Sequence, residues 1–452
     1  MPTSNDMRKV LDIQDKNIIF EDDCVEYGQF KGKKCKFIKG RLTYIPQECM
    51  KCHAANEHYT IYRNGTQVSR ITLPMSGVHP TYLLLKKQRF KCKGCGATFT
   101  AKTPLLKENC FISNPVKAQI LDKSSMAQSI KDISSQTRVS SATTQRVINE
   151  QAKNYKPHYF WLSKHLSFDE FKYANSTMAF EYIDAEKGTI IDILPSRDSR
   201  TIKDHFLSRY SLKARKKVET ITVDMNASYV NFIPVLFPNA KIIIDRFHIV
   251  QLINRSLNRT RVTVMNQFHT SNGEDMKKYR RLKRFWKKIL KKESELSYTK
   301  YTYYALFGLR LESAIVDEML GYNTILRETY EVYQAILKAV EKNDYDELVK
   351  ILEKDYPLIS KPMKTSLKTL KKHIKHIKNT FAYKYSNGKI EGINNKIKVL
   401  NRVAYGYRNF ANYKNRILLH FNMKPATINR KKKHFSGQLN AYHEKCIGFL
   451  IK

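Results

Sequence analysis

Short apolar runs broken by polar turns fill residues 166–244, and their spacing predicts a definite order of elements. Residues 167–171 read as a strand. Residues 179–183 and 189–194 form a hairpin around Glu186-Lys187-Gly188. Residues 202–210 recur at helical spacing, with Asp198 or Ser199 as cap. A short apolar strand at 219–223 ends at Asp224. Residues 229–237 are helical and stop at Pro238, and a further apolar strand at 241–244 ends at Asp245. Upstream, 59–62 and 68–73 alternate as strands do. After Pro115, Val116, Ile120 and Leu121 fit one helix, and Met126, Ile130 and Ile133 fit a second. A polar turn at 134–140 then leads to a third helix, with Ser141 a good N-cap. Residues 250–380 carry many helical and few strand signals, including a mixed-charge helix at 341–355 ended by Pro357. A long helix begins at Asn387, with Asn387 or Ser386 as cap and Glu391 in its first turns.

The order over 166–244 is βββαβαβ: three antiparallel strands, then crossover units that feed parallel strands. That is the order of an RNase H-like domain. In that topology the first and fourth strands are neighbours, so Asp169 and Asp224 would lie side by side. The whole chain then reads as multidomain α+β. A zinc module and a helix-turn-helix precede an RNase H-like α/β catalytic domain, which an α-helical insertion interrupts. The expected boundaries are 1–110 (zinc), 111–158 (helix-turn-helix), 159–250 and 381–425 (catalytic), 251–380 (basic insertion) and 426–452 (basic tail).

Composition narrows the partners. The 452 residues include 81 Lys and Arg against 41 Asp and Glu, a net charge of +40. Such an imbalance points to a polyanion, most simply nucleic acid. No apolar run approaches the roughly 20 residues of a membrane helix. The N-terminus lacks the apolar core of a signal peptide, so a cytoplasmic, nucleoid-associated protein is expected. Within the insertion, Lys277 to Lys288 interleaves Arg280, Arg281, Lys283 and Arg284 with Phe285 and Trp286, a pattern suited to DNA backbone and base stacking. Gln145 or Arg146, at the start of the third helix, could reach base edges in a major groove.

Eight cysteines in so long a chain make no disulfide scaffold. Four of them form two knuckles, Cys49-Met50-Lys51-Cys52 and Cys92-Lys93-Gly94-Cys95-Gly96, the spacing of one structural zinc site. His53 and His58 are substitute ligands by position only, and Cys24, Cys35, Cys110 and Cys446 are unpaired by spacing.

Carboxylates within apolar strands of so basic a chain stand out. Asp169, Asp224 and Glu391 are hard oxygen ligands suited to Mg²⁺ or Mn²⁺. Two such ions about 4 Å apart assist phosphodiester cleavage at both the entering and the leaving oxygen. Taken singly, Asp224 is also a plausible helix cap, Asp169 a solvent-facing strand residue and Glu391 a first-turn acid favoured by the helix dipole. No Gly-rich P-loop is present. Glu170 falls on the opposite strand face from Asp169 and is assigned no metal.

Ser167-Phe168-Asp169-Glu170-Phe171, Val223-Asp224-Met225, Asp245-Arg246-Phe247-His248 and Glu391-Gly392-Ile393-Asn394-Asn395-Lys396-Ile397-Lys398, with Tyr405-Gly406-Tyr407-Arg408-Asn409-Phe410, resemble the bacterial insertion-sequence transposases of the ISL3 family. The Cys knuckles and helix-turn-helix resemble that family's DNA-binding region, and the likeness runs over nearly the whole chain. It implies that Asp169, Asp224 and Glu391 are a DDE triad binding two Mg²⁺ ions, with Asp245 and His248 in support. It implies binding to terminal inverted repeats and target DNA, cleavage of the ends, joining of 3′-hydroxyls, and a dimer or larger assembly on DNA. Arg402 and Arg408 join the candidate DNA contacts. The alternative is a non-catalytic zinc and helix-turn-helix regulator derived from a transposase; a third reading is a nuclease that hydrolyses without joining.

Overall fold

The computed structural model describes residues 4–155, 157–174, 177–225 and 227–423. The expected basic tail and Cys446 lie outside these. The chain forms two compact units: one runs to Ala152 and takes up the chain again from Leu418, the other is Lys153–Ile417. Their described residues hold several sheets and 17 α-helices. No helix among the described residues is long and apolar enough to cross a membrane.

The first unit opens with α1 (Ser4–Val10) and a five-stranded sheet of β1 (Ile18–Phe30), β2 (Lys33–Leu42), β3 (Ile61–Ser76), β4 (His79–Cys92) and β5 (Thr98–Thr100). The order is β1-β2-β4-β3, with β5 on β4; β2 and β4 are parallel. Ile18, Phe20, Ile38, Ile71, Leu83, Leu85 and Phe90 fill its core. The two short strands expected at 59–62 and 68–73 are one strand, β3, whose register shifts between Arg63 and Thr66. The β1–β2 hairpin was not anticipated. Only Ile18, Phe20 and Cys24 of β1 are buried, and a register shift between Phe20 and Val25 breaks the alternation that reveals a strand.

Three helices follow: α2 (Asn114–Ser125), α3 (Ile130–Thr137) and α4 (Ser141–Ala152). Pro115 suits the first turn of α2, where its missing N–H costs nothing. Ser129 caps α3 by accepting the N–H of Asp132. Met126, expected on the second helix, is instead an exposed residue of the turn. Ser140 rather than Ser141 caps α4, its Oγ accepting the Thr143 N–H at 3.2 Å. Val116, Ile120, Ile133 and Ile148 pack together, and Leu419 completes their cluster.

The second unit is built on β6 (His165–Ala174), β7 (Thr177–Asp184), β8 (Thr189–Leu194), β9 (Thr220–Val223) and β10 (Lys241–Ile244), with α5 (Ser199–Arg209), α6 (Leu212–Lys216) and α7 (Ala227–Leu236) between them. The strand order is β10-β9-β6-β7-β8. β6, β7 and β8 are antiparallel neighbours, and β9 runs parallel to both β6 and β10. The inner parallel strand β9 is buried throughout and reads Thr-Ile-Thr-Val, the composition of a strand covered on both faces.

The remaining helices are α8 (Arg246–Gln267), α9 (Gly273–Arg284), α10 (Trp286–Ile289), α11 (Glu312–Leu320), α12 (Thr324–Glu341), α13 (Tyr345–Glu353), α14 (Lys361–Lys372), α15 (Ile374–Ala382), α16 (Gly388–Val403) and α17 (Phe410–Asn422). A two-stranded hairpin, β11 (Tyr301–Tyr304) with β12 (Gly308–Leu311), interrupts the helical run. The helix expected at 341–355 is shorter at both ends: Asp344 caps α13 by accepting the Glu347 N–H, and Lys342 already closes α12. α15 lies along the edge strand β10. Its Asn379 and Thr380 side chains donate to the carbonyls of Ile242 and Ile244, which supplies the edge with the partners it lacks. α17 passes from the second unit into the first between Ile417 and Leu418.

Candidate active site and metal clusters

Register brings four carboxylates to one end of the second sheet. β9 and β10 pair in parallel with Val223 opposite Ile244, so Asp224 and Asp245, the next residue of each, leave the sheet at the same level. β6 pairs with β9 through Ser167 and Thr222. Asp169, two residues beyond Ser167, therefore stands level with Asp224. The chain places the fourth on α16, whose face carries Asn387, Glu391 and Asn394 at helical spacing of four and three residues. Lys389 donates to the carbonyls of Ala185 and Glu186 and ties the start of α16 to the β7–β8 turn.

The α16 face meets the carboxylates one by one. Asn394 Nδ2 donates to Asp169 Oδ2 at 2.7 Å. Asn387 Nδ2 donates to Asp224 Oδ1 at 3.2 Å, and its backbone N–H points at Asp245 Oδ1 at 3.4 Å. Asn387 or Ser386 was expected to cap α16; Asn387 stands at the cap position, but its side chain makes no capping bond and serves Asp224 instead. His248, in the first turn of α8, places Nε2 2.6 Å from Asp224 Oδ1. Ligand atoms of Asp245, His248 and Glu391 lie within 4.8 Å of one another. Two side chains read as supporting thus share that cluster with Glu391, while Asp169 and Asp224 are not among its three members: Asp224 meets His248 directly, and Asp169 is held by Asn394 on the helix that carries Glu391.

The electrostatics follow from burial among like charges. Burial, with the charge of Asp224 adding to it, pushes the Asp169 carboxyl up to about 6 despite the N–H of Glu170. Burial also raises Asp245 and Glu391 above the usual carboxylate range. For His248, burial opposes the charged ring, but the hydrogen bond to Asp224 and the nearby carboxylates outweigh it and raise its pKa. Among the described residues, none of Asp169, Asp224, Asp245 and Glu391 pairs with a Lys or Arg, in a chain that holds 81 of them. Uncompensated oxygens with amide and imidazole neighbours fit a divalent cation. Glu170 turns away, as expected, toward Arg197 and the Tyr229 hydroxyl.

The knuckles build a second cluster in the first unit. Sγ of Cys49 lies 3.7 Å from that of Cys95, and Sγ of Cys52 lies 3.9 Å from that of Cys92. A tetrahedral zinc with Zn–S near 2.3 Å sets its sulfurs about 3.8 Å apart, so the four thiols fit that ion. The two knuckles repeat one another. His53 and Gly96, both at positive φ, donate to the carbonyls of Cys49 and Cys92. Ala54 and Ala97 accept from those cysteines' N–H groups. Backbone N–H groups of Cys52 and Lys51 lower the Cys49 thiol to about 6. His53 keeps its ring exposed beside Glu48, and neither it nor His58 joins the four sulfurs.

The transposase family model of the ISL3 type matches residues 166–417, more than half of the chain and all of the carboxylate site. The chain belongs to the ISL3 family of transposases. The transposase for insertion sequence element IS1001 of Bordetella parapertussis is 24% identical over 254 residues, 54% of this chain and 58% of that protein. A Lactococcus lactis subsp. lactis protein named ATP-dependent protease is 41% identical over 108 residues, 24% of this chain and 34% of that protein. The chain thus spans about a third and somewhat over half of the length of these curated relatives.

Within this transposase the side chains expected to meet DNA differ in their freedom. Arg146, Arg280, Lys283, Arg284, Arg402 and Arg408 are exposed. Gln145 is half-buried and donates to Asn149. Arg281 is committed elsewhere: its guanidinium binds Glu318, the Tyr322 hydroxyl and the Leu306 carbonyl, bracing α9 against the β11–β12 hairpin. Phe285 is a core residue and Trp286 is half-buried. Sequence reading missed Asn387 and Asn394 as site residues. Their spacing around Glu391 is the signal that could have found them.

Proposed function

We propose that this chain is a DDE transposase with an RNase H-like catalytic domain. It binds the terminal inverted repeats of its element, hydrolyses the phosphodiester at each end, and joins the freed 3′-hydroxyls to target DNA as a dimer or larger assembly. The observation that carries this reading is the group of four carboxylates that, among the described residues, has His248 beside Asp224 but no Lys or Arg partner, in a chain of net charge +40. Asp169, Asp224 and Glu391 would hold Mg²⁺ or Mn²⁺, with Asp245 and His248 in support. Bound there, divalent cations supply the Lewis acidity that phosphodiester chemistry requires. Asn394 and Asn387 hold Asp169 and Asp224 in place, and His248 accepts or returns a proton beside Asp224. Water first displaces the 3′-oxygen at the element end. That 3′-hydroxyl then attacks a target phosphodiester and releases a target 3′-hydroxyl, so the number of bonds is conserved and no protein intermediate forms.

The first unit is the DNA-binding part of this reading. α3 and α4 form a helix-turn-helix, with Arg146 reaching base edges, and the four cysteines hold a structural zinc. Exposed Arg280, Lys283, Arg284, Arg402 and Arg408 contact the phosphate backbone. The test is cleavage of labelled DNA from the element's flanks with Mg²⁺ or Mn²⁺. Asp169→Asn, Asp224→Asn and Glu391→Gln should each lower cleavage and joining by more than about 10³-fold while end binding stays within a few-fold. Cutting by Asp224→Asn at the wild-type rate would overturn the assignment. Metal-dependent nicking without joined products would favour a nuclease.

A further inference from the structure

A cavity of about 390 Å³ opens on the first unit, and none of the four knuckle cysteines lines it. Three of its walls are cationic, Lys31, Arg70 and Arg138; three are aromatic, Phe30, Tyr82 and Phe111; no carboxylate lines it. Its volume sits at the small end of ligand pockets, which begin near about 300 Å³.

The cations are arranged rather than scattered. The Arg70 guanidinium carbon lies 3.8 Å from the Phe30 ring centroid, a stacking distance that leaves its N–H edge free to face a ligand. Lys31, at φ +51 on the β1–β2 turn, brings its ammonium within 5.5 Å of the same ring. Arg138 ends α3 at φ +57, a left-handed conformation that non-glycine residues adopt uncommonly. That backbone turns the side chain into the cavity wall. Its Nε–H is shielded from solvent and has no hydrogen-bond partner, a donor left without an acceptor. Phe111 is 60% exposed, and backbone bonds linking Thr72 with Phe111 and Ser113 fix its segment.

We propose that this cavity binds one unpaired nucleotide of the DNA that the transposase recognises, its phosphate between Arg70 and Arg138 and its base against Phe111. Guanidinium groups suit a phosphate. A base stacked within a duplex has both faces covered, so an aromatic wall can meet only a nucleotide that has left the stack. Arg138 lies in the turn between α3 and α4, so the pocket places this nucleotide beside the helices proposed to read the repeat. The inference rests on the end-binding reading above.

The experiment uses the full chain and terminal-repeat duplexes carrying 2-aminopurine at successive positions in and beside the repeat. Fluorescence reports unstacking, and anisotropy gives affinity at salt concentrations from about 50 to 200 mM. Wild type should bind and brighten or quench 2-aminopurine at one position only. Arg70→Gln and Arg138→Gln should each weaken binding about tenfold and reduce the salt slope by about one. Phe111→Ala, at an exposed site, should lose the fluorescence change and weaken binding about tenfold. Unchanged zinc content in each variant confirms that the first unit is folded. Wild-type affinity and slope in both arginine variants would overturn the pocket while leaving end binding intact. Saturable binding of deoxyadenosine monophosphate that Arg70→Gln abolishes, with duplex binding unchanged, would assign the pocket to a free nucleotide and also overturn it. No binding of any terminal duplex by wild type would bring down the end-binding reading itself, and this proposal with it.

Discussion

Asp169 shows how one side chain can tune a site. Its carboxyl, pushed up to about 6 by burial and then by the charge of Asp224, is an anion above that pH and carries a proton below it. The proton and a cation compete for the same oxygen. Mn²⁺ affinity, measured by titration between about pH 5 and 8, should fall as pH drops through about 6 and level off above about 7. A flat profile would remove Asp169 from the ligand set. Glu181 poses the opposite problem. It faces Asp169 across β6 and β7, is fully buried, and neither carboxylate oxygen has a hydrogen-bond partner. Burial, and then the charge of Asp169, holds its pKa well above the ordinary range. The folded state therefore keeps a proton that the unfolded chain gives up. Its stability is full below the unfolded pKa and is lost as pH rises toward the folded one. Glu181→Gln removes this penalty and should raise the thermal midpoint at about pH 8 by roughly 2–5 °C. A rise in stability with loss of cleavage would mean that the acid is retained for the reaction.

Among the elements, α16 does the most. One face supplies Glu391 and the two asparagines that hold Asp169 and Asp224. Asn394→Ala would leave Asp169 free to rotate and should lower cleavage about 10- to 100-fold, with end binding unchanged in the same gel-shift titration. The helix itself was legible: the apolar positions from Ile390 to Leu400 keep helical spacing, and Asn387 is a residue type favoured at the cap position it occupies. The work of its asparagines was not, because an Asn at a helix start has a sufficient local explanation in capping, and only the third dimension shows Asp224 beside it. The strands β6 to β10 were legible for a different reason. Each holds a short apolar run with a turn signal at its end, and an aspartate directly follows both β9 and β10. The β1–β2 hairpin escaped because Glu21, Asp22 and Asp23 interrupt its alternation at the register shift. The β11–β12 hairpin escaped because its tyrosines are mostly exposed and its apolar pattern is too short to distinguish from helix.

At the scale of the molecule, a net charge of +40 acts on every DNA segment alike. Binding to unrelated duplex should fall by about 10³-fold between about 50 and 200 mM salt, and filter binding against salt concentration measures it. A weak dependence would place the positive charge off the binding surface. Composition revealed this general attraction at once, and the paired knuckles revealed the four sulfurs. The partition of the chain was concealed, because Leu419 looks like any other apolar position of a helix. α17 starts among the aromatic side chains around Tyr413 and ends by covering Val116, Ile120, Ile133 and Ile148. The order of synthesis gives this a consequence. A ribosome must reach Leu419 before that helical cluster has its last apolar member, so α2, α3 and α4 are completed long after they are made. A chain terminated before Leu419 would leave these helices without that apolar cover.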